Sequence, residues 1–348
     1  MDDLLVASQL VYRQPTQPTH ALHIYNMTDE QCVRMCRFQR NDLSVLITAL
    51  RLPDFVVCAS GTKSHISEAL PIFLYRFATA ARFYDMERDF CRREAQLKVI
   101  FSTVCSLIID RWGFLLTTDV RNPLFTRENL RRSARAIARK LGLSALSVFG
   151  FIDGKLFSTC RPSTGQESMY NGKDREHGLK YLAVVLAFGL LLFFYGAEAG
   201  RRHDGFLYLE SGIYDRLGEV LGPALRLALF GDSAFPRSDR LLKPFIGNNL
   251  TPLEEAWNAR WCPMRVSVEW ALGKIVTLWK LVGTRQQMKV LLSPVDKWVR
   301  TAALLTNLHT CFYGGLISTY FGCAPPSVYD YLVENEASED FGHNELLE

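Results

Sequence analysis

Three acids of the 348-residue chain lie where an acid is costly to place. Asp153 interrupts the apolar stretch Phe151-Ile-Asp-Gly154, where an uncompensated charge is unfavourable. Asp232 ends a short apolar run in Phe230-Gly-Asp-Ser-Ala-Phe-Pro236. Glu269 falls in the helical pattern Met264-Arg-Val-Ser-Val-Glu-Trp270, beside the stripe Val268, Leu272, Ile275 and Trp279. Arg265 stands one turn before it and Gly273 one turn after, the glycine leaving room for another backbone or a substrate. If two sheet aspartates and a helical glutamate converge, their repulsion favours a hard divalent cation, and oxygen-only ligands favour Mg²⁺ or Mn²⁺ over zinc. Two such ions activate a water or a 3′-hydroxyl and stabilise the leaving oxygen of a phosphodiester displacement. Each acid taken singly reads first as a structural carboxylate with its hydrogen bonds satisfied.

Other chemistries lack their motifs. There is no phosphate-cradling Gly-x-x-x-x-Gly-Lys-Ser/Thr loop, no Gly-x-Gly-x-x-Gly after a strand, no Gly-x-Ser-x-Gly elbow and no His-Glu-x-x-His. Nine scattered cysteines, with only Cys32 and Cys36 close together, argue for reduced thiols rather than a disulfide or zinc framework.

The elements that must position these acids change character along the chain. Residues 1–27 read as a flexible arm without the basic region of a secretory signal. From 28 to 142 the apolar spacing is helical, with helices expected over 65–81, 83–93 and 94–112 in a domain that could be helix-turn-helix-like. Thr126 and Gly142 bracket a further helix on which Arg127, Arg131, Arg135 and Arg139 recur every four residues, a stripe suited to phosphate contact. From 147 the pattern turns strand-like. A strand over 148–158 is followed by the uncharged run 181–197, whose central Gly189 suggests two buried strands joined by a turn rather than a membrane span. A helix over 205–220, a strand ending at Phe230 and a long helix over 264–282 complete a mixed α/β sheet flanked by helices.

Composition is globular, with 48% hydrophobic and 22% charged residues, which excludes a disordered or fibrous chain. The net charge of +4 conceals an acidic tail at 330–348, seven acids and no Lys or Arg, behind a body of 40 basic against 29 acidic residues. A body of +11 fits a polyanionic partner.

Six segments carry a family resemblance. Val148-Phe-Gly-Phe-Ile-Asp-Gly154, Arg161-Pro162, Tyr170-Asn-Gly-Lys-Asp-Arg-Glu-His-Gly-Leu-Lys-Tyr181, Gly200-Arg-Arg-His-Asp204, Gly231-Asp-Ser-Ala-Phe-Pro236 and Arg265-Val-Ser-Val-Glu269 occur in that order. Together they resemble the catalytic domain of PIF/Harbinger-type DDE transposases, with 79 residues between the first two acids and 37 to the third. The resemblance implies a ribonuclease H-like fold over 147–315 and a metal-binding catalytic triad of Asp153, Asp232 and Glu269, holding two Mg²⁺ or Mn²⁺ ions. It implies supporting roles for His203 and Asp204. DNA contacts are expected from Arg161, Lys173, Arg175, Lys180, Arg201, Arg202 and Arg265, besides Arg131, Arg135 and Arg139 upstream. The implied activity is a DNA endonuclease and transposase that cuts transposon ends and joins them to target DNA. The implied partners are DNA, a Myb-like accessory DNA-binding protein and further copies of the chain, with no membrane. The implied location is the nucleus, or the cytoplasm without that accessory protein. The competing expectation is a domesticated DNA-binding or scaffold protein that no longer cuts. The chain departs from the family at Phe188-Gly189, where members commonly carry Asp-Gly.

Overall fold

The structure, a computed structural model, describes residues 21–333. The expected arm at 1–20 and most of the acidic tail lie outside the described residues. Of the remainder of that arm, Ile24 and Met27 are buried, and at the other end Tyr331 and Leu332 are buried too.

The N-terminal part is mainly helical: α1 (Asp29–Cys36), α2 (Arg40–Ala49), α3 (Ile66–Thr79), α4 (Phe83–Phe90), α5 (Glu94–Trp112) and α6 (Arg127–Lys140). A small antiparallel hairpin, β1 (Phe55–Val57) and β2 (Lys63–His65), precedes α3. Start signals are local. Thr28 and Gln31 cap α1 reciprocally, and the Thr126 hydroxyl accepts from the Asn129 amide at the start of α6. The apolar face of α5 (Leu97, Ile100, Phe101, Val104, Ile108) lies in the core, packed on α3 and on the later helix α13 (Val295–Tyr313).

The sheet-bearing part begins with β3 (Val148–Ser158), α7 (Gln166–Met169), β4 (Tyr170–Asn171), β5 (Glu176–Leu186) and β6 (Leu191–Ala199). It continues through α8 (Asp204–Glu210), α9 (Ile213–Leu221), β7 (Ala228–Phe230), β8 (Leu241–Leu242), α10 (Pro252–Trp261), α11 (Val266–Leu278) and α12 (Lys280–Gly283). After α13 come α14 (Leu316–Phe321) and α15 (Val328–Tyr331). β3 is central: it pairs antiparallel with β5, which also takes β6 and β4, and parallel with β7, which pairs parallel with β8. This is the mixed α/β sheet flanked by helices that was expected, of ribonuclease H-like type.

The uncharged run at 181–197 forms the inner halves of β5 and β6, and Gly189 makes their turn at φ +87°. Buried on both faces, these strands read as continuous apolar sequence instead of alternating. One apolar core runs from α1 to α15 and joins the helical part to the sheet. Two expected helices are interrupted. The stretch 205–220 divides into α8 and α9 at Gly212, whose φ is +68°. The stretch 264–282 starts as a 3₁₀ turn, becomes α11, and breaks at Trp279, whose buried indole donates to Thr306 Oγ1 at 3.1 Å.

The strand that carries Asp153 is tied down by one hydroxyl. Ser133 of α6 is fully buried; its Oγ donates to the Phe149 carbonyl at 2.6 Å and accepts from the Ala187 amide at 2.7 Å. Ser133→Ala leaves both backbone groups without a partner in the interior. The expected loss is about 1–3 kcal/mol of unfolding free energy, measured by urea denaturation.

Candidate active site

The sheet register explains why Asp153 and Asp232 meet. In the parallel pair β3–β7, Phe151 lies opposite Phe230. Two residues further along each strand direction stand Asp153 and Asp232, so residues 79 positions apart in sequence become neighbours across adjacent strands. Asp204 joins them from the start of α8, just beyond β6. Each of the three offers a carboxylate oxygen, and these oxygens all lie within 4.8 Å of one another.

Asp204 approaches over a glycine. A Cβ at Gly154 would fall 1.8 Å from Asp204 Oδ1, so a side chain there would push the carboxylate away. Asp204 Oδ1 is buried and lacks a well-directed hydrogen bond, although Lys180 Nζ sits 2.9 Å from it as a counter-charge. Lys180 in turn donates to the Arg202 carbonyl at 3.0 Å. Asp153 Oδ1 accepts from the Gly154 amide at 2.9 Å, and Asp232 Oδ1 from the Ala234 amide at 2.9 Å. Burial pushes the Asp153 carboxyl above its ordinary range; Arg265 pulls it back, and the Asp232 and Asp204 charges add to the rise.

Glu269 is placed differently. It lies on α11, which packs on β3 and β5, and is half exposed. The Arg265 guanidinium bridges it to the centre, donating to Asp153 Oδ2 at 2.8 Å and to Glu269 Oε1 at 2.7 Å. Within the three-carboxylate cluster the third member is therefore Asp204, not Glu269. His203 is exposed, and its carbonyl accepts from the Phe206 amide as α8 begins.

A cleft of about 790 Å³ opens beside Asp204 and Asp232. Lys155, Lys173, Lys180, Arg201 and Arg202 line it. Lys155 was not singled out in the sequence, yet its signal was there: it follows Asp153 by two and shares its face of β3. Arg201 pairs with Glu167 at 2.9 Å and Arg202 stacks over Phe206 at 4.2 Å. Arg161 is exposed and donates to Gln166 Oε1, while Arg175 is an exposed turn residue with φ +58°. Arg131, Arg135 and Arg139 form an exposed stripe on α6; Arg127, the fourth expected member, instead donates to the Val220 carbonyl.

The donor set suits a hard divalent cation: oxygen ligands only, one buried acceptor without a directed donor, and crowded negative charge. Asp153, Asp204 and Asp232 are the residues that could hold it. Two tests follow from this geometry. Gly154→Ala is expected to weaken Mn²⁺ binding by roughly tenfold or more in calorimetric titration, with the fold retained because only the mobile end of Asp204 must turn. Asp153→Asn probes the charge directly. An acid whose pKa rises on folding destabilises the folded state above that pKa, and the penalty disappears as pH falls through it. Metal-free Asp153→Asn is therefore expected to melt higher than wild type near pH ~7, with the gap closing towards pH ~3.

Residues 152–307 match the family described as DDE superfamily endonuclease. Comparison with curated proteins and with solved structures gives no match. The matched segment contains all four acids of the site and Arg265. The portion of the chain that builds the carboxylate centre is thus similar to DDE superfamily endonucleases.

Proposed function

We propose that the protein is a DNA endonuclease of transposase type, which cuts element ends and joins them to target DNA with Mg²⁺ or Mn²⁺. The observation that carries this reading is the carboxylate cluster at the mouth of a lysine- and arginine-lined cleft. A pair of divalent ions, when bound, would supply a nucleophile at neutral pH and charge neutralisation at the scissile phosphate. The chain's own part is to hold and orient. Asp153 and Asp232 are fixed by the β3–β7 register, Lys180 steadies Asp204, and the cleft cations hold the DNA backbone. Glu269 joins the centre once Arg265 releases it, which makes Arg265 a counter-charge for the metal-free site.

The PIF/Harbinger type is supported by the ordered motifs, Gly200-Arg-Arg-His-Asp204 among them, and by the placement of Asp204 at the centre. On this reading the partners are DNA, a Myb-like accessory protein and further copies of the chain that synapse two ends, and the site of action is the nucleus. One observation favours a second reading, a domesticated DNA-binding protein without catalysis. Arg265 clamps Asp153 to Glu269, as a site retired from metal chemistry would allow.

Incubation of a plasmid carrying the element's own terminal repeats with Mg²⁺ separates the two. Wild type is expected to nick and linearise it, chelation by EDTA to abolish this, and Asp153→Asn or Asp232→Ala to reduce it by at least about a hundredfold. Equal behaviour of wild type and Asp232→Ala would remove the enzymatic reading.

A further inference from the structure

A second cavity, of about 560 Å³, opens on the other side of Glu269, between α11, α13 and the start of α14. Glu269 and Trp270 line one end of it, Lys274 and Gly273 come from the next turn, and His309 and Tyr313 form a wall from α13. Its lining is largely apolar and aromatic. Gly273 is the glycine at which the sequence suggested room for another backbone or a substrate; a Cβ there would meet nothing within 4 Å. The helix thus gives up a side chain at the point where the cavity needs room, although glycine costs a helix about 1 kcal/mol.

The polar content is sparse and specific. Lys274 Nζ donates to Thr310 Oγ1 at 2.8 Å and to the Gly314 carbonyl at 2.9 Å. An ammonium has three donors, so one remains. No carboxylate pairs with it among the described residues, and burial draws its pKa down to about 8, which leaves it mostly charged at neutral pH. Burial, followed by the Lys274 and Arg37 charges, pushes His309 down to about 3, so its ring is an uncharged aromatic face. It packs against Tyr313 with centroids 4.7 Å apart. One cation stands near the rim from α6: Lys140 Nζ lies 4.1 Å over the Tyr320 ring, which meets the lining Trp270 edge-on at 5.4 Å.

We propose that this cavity receives an unstacked base of the DNA strand engaged at the carboxylates. The inference rests on the endonuclease reading and adds to it a base-binding site. Arg265 bonds both Asp153 of the centre and Glu269 at the end of the cavity, so a strand whose phosphate lies at the acids and which continues past this pair brings its next bases to the cavity. Flat aromatic walls offer stacking to any base, and the free Lys274 donor suits a base carbonyl, O4 of thymine or O6 of guanine. Lys140 near the rim suits a flanking phosphate. An isolated anion would find a partner in Lys274 but no use for the aromatic walls.

The test is a thermodynamic cycle on full-length protein with Ca²⁺ in place of Mg²⁺. The probe is a fluorescent duplex with a five-nucleotide gap, opposite either five thymines or five abasic residues, and binding is read by anisotropy. Wild type is expected to bind the thymine probe about tenfold more tightly than the abasic probe. Gly273→Leu, which fills the cavity with a better helix former, is expected to bind both probes with the affinity wild type shows for the abasic one. Lys274→Met is expected to lose the preference in the same way. A tenfold preference that persists in both variants, or is absent from wild type, overturns the base site while plasmid cleavage still stands. If wild type binds neither probe and cuts no plasmid, the endonuclease reading falls and the base site with it.

Discussion

Three carboxylates with oxygens within 4.8 Å of one another, partly out of water, set the terms for the rest of the sheet-bearing part. Like charges at this separation repel strongly when solvent is limited, and the interior supplies little screening. The surroundings answer residue by residue. Arg265 lies against Asp153, Lys180 lies against Asp204, and backbone amides at Gly154 and Ala234 meet Asp153 and Asp232. The residual mismatch remains visible in Asp153, whose carboxyl is raised despite its arginine. Such an arrangement is poorly explained as a device for stability, because apolar residues of similar volume would pack there at less cost. It is well explained as a site awaiting a cation.

The architecture holds these charges in place with apolar mass. β3 is flanked on both sides by strands, and β5 and β6 are buried through their inner halves. Ser133 links α6 to the backbones of β3 and the β5–β6 turn, while Asn307 of α13 exchanges hydrogen bonds with Leu191 at the start of β6. The helical part therefore acts as a buttress, whatever else its exposed arginines do. α11 carries Glu269, Arg265 at its N-cap reaches Asp153 on the sheet, and the helix lines the second cavity along its length. One helix thus runs from the carboxylate centre to the second cavity.

Much of this was legible in the sequence where local signals and burial agree. The strand 148–158 and the helix 94–112 appear with the expected bounds, because an unbroken apolar run and a clean three-and-four spacing leave few alternatives. The breaks were not legible. Gly212 ends α8 through a backbone conformation, and Trp279 ends α11 because the core claims its indole, neither of which periodicity reports. The hairpin β1–β2 and the two-residue β8 are too short to carry a pattern. At the site, Asp153 and Asp232 stood out as acids in apolar strands. Asp204 did not, because it follows a loop and looks like an ordinary helix-opening acid; its place depends on the missing side chain of Gly154, a long-range fact. Glu269 lies near the centre but is held by Arg265, a state set by electrostatics in the folded chain and not by spacing.

The most direct check of the central claim is anomalous diffraction from crystals soaked in Mn²⁺. A peak is expected within coordination distance of the Asp153 and Asp232 carboxylates, with Arg265 turned away from Asp153. Full-strength data with no peak at these residues, and the Arg265–Asp153 pair unchanged at 2.8 Å, would contradict it.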